Sequence, residues 1–216
     1  TAALRAAGAA MAATDAVLAG ELENAFCLVR PPGHHATRSK AMGFCFFNNV
    51  AVAAKYALQR HNLQRVAVID FDVHHGNGTE DILAGDERAL MCSFFQHPFY
   101  PYSGDQNPAP NMCNVPVPAY SKGMDIREVV EMMWIPRLEE FQPEMMFISA
   151  GFDAHREDDM GQLGLTEQDF SWITQRLKDV ARRYCNGRIV SCLEGGYIPS
   201  ALARSVEAHL RVLADV

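Results

Sequence analysis

Residues Arg65–Gly78 read RVAVIDFDVHHGNG, a short apolar run that ends in a dense group of acids, histidines and glycines. The run Arg65–Phe71 has the apolar character of a strand buried on both faces, as in a parallel sheet. At its end Asp72 and His74 stand two positions apart and so project to the same face. A carboxylate and an imidazole placed this way can converge on one ion.

Four more runs share that character: Ala25–Val29, Ala89–Phe94, Met145–Ala150 and Arg188–Cys192. Between them lie helical patterns at Asn48–Gln59, Ile126–Phe141, Thr166–Tyr184 and Ser200–Ala214. Thr166, with Asp169 three residues later, has the form of a capping box. Pro136 falls inside the second pattern and is expected to kink or split it. The alternation predicts an α/β fold with a mainly parallel sheet flanked by helices. Ligands of such sheets bind beyond the carboxyl ends of the strands.

Composition sets the outer bounds. The 216 residues are 49% apolar and 21% charged, with a formal charge of −7 and no basic tract, a balance that argues against a nucleic-acid surface. The chain opens at Thr1 in an Ala-rich stretch, read as a helix whose upstream neighbours are missing. Arg5, Asp15 and Glu21 interrupt that stretch, so it reads as neither a signal peptide nor a membrane span. With no repeat or linker, residues 1–216 are expected to form one domain, incomplete at its amino terminus. Six scattered cysteines without a C-x-x-C pair predict buried thiols in a reducing compartment, with the cytoplasm as the default. The apolar Met132-Met133-Trp134 cluster reads as core or interface, with core preferred.

The strand ends carry the chemistry. Asp153 follows Met145–Ala150 and supplies a second carboxylate; with Asp72 and His74 it makes three ligands and leaves a position open, the arrangement of a catalytic zinc site. His34 and His35 follow a Pro-Pro-Gly turn and suit general acid–base work near neutrality. Asp70 is placed to hold the tautomer of one histidine, and Asn77 that of the other, without a charge. After Arg188–Cys192, Gly195-Gly196 gives an approach free of side chains, and the Tyr197 hydroxyl can donate to a developing oxyanion.

Together these segments resemble the histone deacetylase and deacetylase-like amidohydrolase family. RPPGHHA (Arg30–Ala36), MGFCFFNN (Met42–Asn49), DFDVHHGNGTE (Asp70–Glu80), SAGFDAH (Ser149–His155) and LEGGY (Leu193–Tyr197) occur in the family's order. The likeness runs from about Asn24 to Leu213, and GFDAHREDDMGQL looks like its class II side. The resemblance implies an arginase/deacetylase-like sheet and hydrolysis of an acetylated lysine or small acetylated amine. It implies zinc on Asp72, His74 and Asp153, His35 as general base and acid, His34 with Asp70 as its electrostatic partner, and Tyr197 as donor to the substrate carbonyl. Phe44 and Tyr100 would wall the acyl slot beside the backbone of Gly43. A potassium ion would use Asp70, the backbone around Asp72 and His74, and Ser93 with Phe94. Many members have an aspartate where Asn77 stands, which implies a lower proton affinity for His35 here. Family domains are usually longer at the amino terminus.

Two rivals make different demands. An arginase-like two-metal hydrolase wants another aspartate where His155 stands. A non-catalytic acyl-lysine binder would show a damaged ligand set, whereas every expected group is present. No membrane or nucleic-acid partner is expected, and the oligomeric state is not legible.

Overall fold

The structure, a computed structural model, describes residues 1–216. Six strands form one sheet: β1 (Asn24–Cys27), β2 (Val66–Asp70), β3 (Ala89–Gln96), β4 (Met112–Val117), β5 (Met145–Ala150) and β6 (Ile189–Leu193). Their order is β1-β6-β5-β2-β3-β4, and every pairing is parallel. Alternation along the strands sorts the core into two halves. Ala67 and Ile69 of β2 face one cluster, around Trp134, Phe152 and Phe170; Val66 and Val68 face the other, around Val50, Leu58 and Phe147. Both faces are therefore covered, as the apolar runs predict.

The helices are α1 (Ala2–Leu18), α2 (Asn49–Arg60), α3 (Asn77–Leu83), α4 (Gly123–Val129), α5 (Ile135–Phe141), α6 (Glu167–Tyr184) and α7 (Pro199–Leu213). The Asn48 side chain caps α2 by accepting from the Ala51 N–H at 3.0 Å. At the start of α6, the Thr166 N–H donates to Asp169 at 3.0 Å, the reciprocal half of a capping box. Between α4 and α5 the chain makes a π turn, Val130–Trp134, just before Pro136. Proline has no N–H to continue the α-helical ladder, and the widened turn absorbs that loss.

Three readings need correction. β4 is an additional strand: Pro116 interrupts its apolar pattern, which an edge position tolerates. Helix α3 starts within the stretch read only as a strand-end segment. Trp134 is buried and stacks on Phe94 at 5.6 Å, but Met132 and Met133 are 68% and 47% exposed, so only one residue of that cluster is core. All six cysteines are buried free thiols. No helix is long and apolar enough to cross a membrane.

Candidate metal centre

Four strands adjacent in the sheet (β1, β6, β5 and β2) deliver the candidate residues at their carboxyl ends. Asp72 and His74 follow β2, Asp153 follows β5, Tyr197 follows β6, and His34 and His35 follow β1. Asp72, His74 and Asp153 are buried, and their donor atoms all lie within 4.8 Å of one another. His74 Nδ1 sits 3.0 Å from Asp72 Oδ1 and 3.2 Å from Asp153 Oδ2.

Backbone amides aim the carboxylates. The N–H of Gly195 donates to Asp72 Oδ2 at 2.9 Å, and that of Val73 donates to Asp153 Oδ1 at 3.0 Å. A Cβ at Gly195 would lie 2.0 Å from Asp153 Oδ2, so only glycine lets β6 approach this closely. Asp153 Oδ2 is buried and has no well-directed hydrogen bond; the polar group beside it is His74 Nδ1 at 3.2 Å. A buried anionic oxygen held so loosely is costly unless a cation offsets it; even a neutral polar group left unsatisfied costs on the order of 1–3 kcal/mol. Burial opposes charge on His74, but Asp153 and Asp72 outweigh it and raise its pKa to about 10. Burial, and then the charge of Asp72, raise Asp153 to about 6. The cavity is thus built for positive charge, and two carboxylates with an imidazole suit a divalent ion with one coordination position open.

The two histidines next to this centre have different partners. His34 Nδ1 meets Asp70 Oδ2 at 2.9 Å, and His35 Nδ1 meets Asn77 Oδ1 at 2.8 Å. Since an amide oxygen only accepts, His35 carries its proton on Nδ1 and keeps the Nε2 lone pair free. A Cβ at Gly43 would lie 2.2 Å from the His35 ring, and Gly43 has φ +54°, so glycine is required there too. Phe44 beside it has φ +64°, a conformation that bulky residues rarely adopt, and its ring is 63% exposed. With Phe99, Tyr100, Met160 and Tyr197 it lines a cavity of about 460 Å³ whose lining includes Asp72 and His74. The rings of His35 and Tyr100 stand 5.1 Å apart, edge to face.

Two buried acids had no role in the sequence reading. Asp158 accepts from the backbone N–H groups of Tyr197 at 2.7 Å and Ile198 at 3.3 Å. Glu194 accepts from Gly33 and His34, and burial pushes its carboxyl up to about 7. Their sequence signal was adjacency to Tyr197 and to the Asp153 loop; their partners lie far away in the chain. Of the residues named for potassium, Asp70 and Ser93 are register partners across β2 and β3. The Ser93 hydroxyl donates to Asn114 Oδ1 at 3.2 Å, and the Phe94 ring packs on Trp134 in the core. His155 contacts Glu157 and Glu167 rather than the three-residue cluster.

The chain and its fold are matched by known proteins. A family model described as the histone deacetylase domain matches residues 1–213, and the chain belongs to that family. The Type-2 histone deacetylase 2 of Dictyostelium discoideum is 41% identical over 99% of this chain and 14% of its own length. The histone deacetylase-like amidohydrolase of Pseudomonas aeruginosa is 42% identical over 88% of this chain and 52% of its own. A crystal structure of the HDA15 HD domain superposes with a TM-score of 0.93 at 36% identity, covering all of this chain and 64% of that one. The chain therefore spans about half the length of the bacterial relative, and far less of the Dictyostelium one.

Proposed function

We propose that this protein is a zinc-dependent deacylase that hydrolyses the acetyl amide of an acetylated lysine or small acetylated amine and releases acetate. The observation that carries the reading is the convergence of Asp72, His74 and Asp153 at the side of a cavity whose lining includes Asp72, His74 and the aromatic rings of Phe44, Phe99 and Tyr100. Zinc on these three residues would supply a lowered water pKa and polarisation of the acyl carbonyl.

In this reading His35 takes a proton from the attacking water at Nε2, because Nδ1 is engaged by Asn77. It then returns that proton to the leaving amine nitrogen as the C–N bond breaks. The Tyr197 hydroxyl donates to the carbonyl oxygen as it gains negative charge. His34, held by Asp70, adds positive charge beside His35, while Phe44 and Tyr100 exclude water along the acyl chain and its stem. The bond balance is one amide plus one water giving acetate and a free amine.

The same proposal includes a potassium ion near Asp70 and Ser93, with the backbone around Asp72, His74 and Phe94, and includes one domain and a cytoplasmic location. The direct test is acetate release from an acetyl-lysine peptide and from an acetylated polyamine, before and after chelation. Activity should vanish with the metal and return with one zinc per chain. Turnover that survives complete metal removal would sink the reading.

A further inference from the structure

Glu194 is fully buried, yet no arginine, lysine or histidine pairs with its carboxylate. The Arg30 guanidinium instead donates to the Glu194 backbone oxygen at 2.6 Å. The carboxylate is occupied by three neutral donors. Oε2 accepts the N–H groups of Gly33 at 2.6 Å and His34 at 3.1 Å, and Oε1 accepts the Ser149 hydroxyl at 3.1 Å.

The order of strands explains the pattern. Strand β6 lies between β1 and β5, so a side chain just past its end reaches the loop after β1 on one side and β5 on the other. Pro31 and Pro32 have no N–H, so Gly33 and His34 offer the first backbone donors of that loop after Arg30. Both go to one oxygen. The other end of the same segment is also fixed, because the His34 carbonyl accepts from Gly78 at 3.0 Å and Thr79 at 3.1 Å at the start of α3. Gly33 is pressed against α2, where a Cβ would lie 2.4 Å from the Asn49 nitrogen. The peptide that carries both histidines is therefore clamped from the β6 side by Glu194 alone.

We propose that Glu194 is a positioning residue for the reaction: by gripping the Gly33 and His34 amides, it sets where His35 stands over the metal centre. This rests on the hydrolase reading above. The grip depends on reach and hydrogen-bond geometry rather than on charge. A glutamine has the same reach; its amide oxygen can accept from Gly33 and His34, and its NH₂ can donate to the Ser149 hydroxyl. An aspartate keeps the charge but stops one methylene short.

The test compares E194Q with E194D in the zinc-loaded protein. E194Q should hold kcat within about threefold of the parent. E194D should lower kcat by roughly 10–100-fold, the scale of a 1 Å misplacement, with KM within about twofold and zinc content unchanged. Hydrogen–deuterium exchange gives a readout that needs no turnover: residues 30–36 should exchange faster in E194D and at the parent rate in E194Q. The reverse order, with E194D active and E194Q impaired, would overturn the proposal in favour of a charge effect. Equal kcat per bound zinc in all three proteins would reduce Glu194 to a structural acid. An inactive parent whose exchange follows the predicted order would sink the hydrolase reading and leave the clamp standing.

Discussion

His34 Nδ1 faces a carboxylate and His35 Nδ1 faces an amide, although the two residues are neighbours in the chain. Their rings lie 4.1 Å apart, so bulk position does not separate them. Burial opposes charge on His34, but Asp70, Asp72 and Glu194 outweigh it and hold its pKa well above the usual histidine value. Burial, and then the charge of His34, push His35 down to about 3. One imidazole is kept charged by its partner, and that charge helps to keep the other neutral. The contrast shows how one dipeptide can supply a fixed cation and a free base in the same pocket.

The strongest way to break this comparison is to delete each ring in turn. His35→Ala should lower kcat by about 10²–10⁴, the usual value of a general acid–base group. A residual rate near the parent's would show that the free lone pair does no work. Next, Asp70→Asn should cost roughly 10–100-fold, as the loss of an orienting carboxylate does. Its effect should largely disappear in a His34→Ala background if Asp70 acts through that ring, which a double-mutant cycle would read out.

A smaller change sharpens the contrast. Asn77→Asp gives His35 a carboxylate partner like that of His34, which stabilises the imidazolium and raises its pKa. A base must be unprotonated to act, so the acid limb of kcat/KM should move to higher pH. An unmoved limb would detach that limb from His35. A buried histidine away from the metal centre is the mildest case. His209 sits between Thr174 and Ser191, at 2.7 and 2.9 Å, with no carboxylate partner, and burial lowers its pKa to about 3. Its folded pKa lies below the unfolded value near 6.5, so the unfolded chain binds the proton first. Stability from this group is complete above pH 6.5 and falls toward pH 3 by at most about 1.4 kcal/mol per pH unit. His209→Gln should flatten that part of the melting-temperature profile relative to the parent; identical profiles would count against it.

Much of this was legible along the chain because it depends on local patterns. Apolar runs marked five of the six strands, since a strand covered on both faces is apolar along most of its length. The two-residue spacing of Asp72 and His74 foretold a shared face, and the structure brings them to Asp153. The edge strand β4 escaped notice because its outer side is open, and Pro116 breaks the run without penalty there. Met132 and Met133 look like core in sequence, yet exposure is decided by where the π turn rotates them.

The sequence by itself determined the element types, the strand-end motifs and the identity of the polar groups offered at each end. Only the tertiary structure decided that β6 lies between β1 and β5, and hence that Glu194 meets amides 160 and 161 positions away. It also decided that Asp153 Oδ2 is buried beside the His74 ring without a well-directed hydrogen bond. The reason is physical: periodicity is a property of neighbours in the chain, whereas a hydrogen bond, or an oxygen left without a good one, depends on which strands the folded sheet sets side by side.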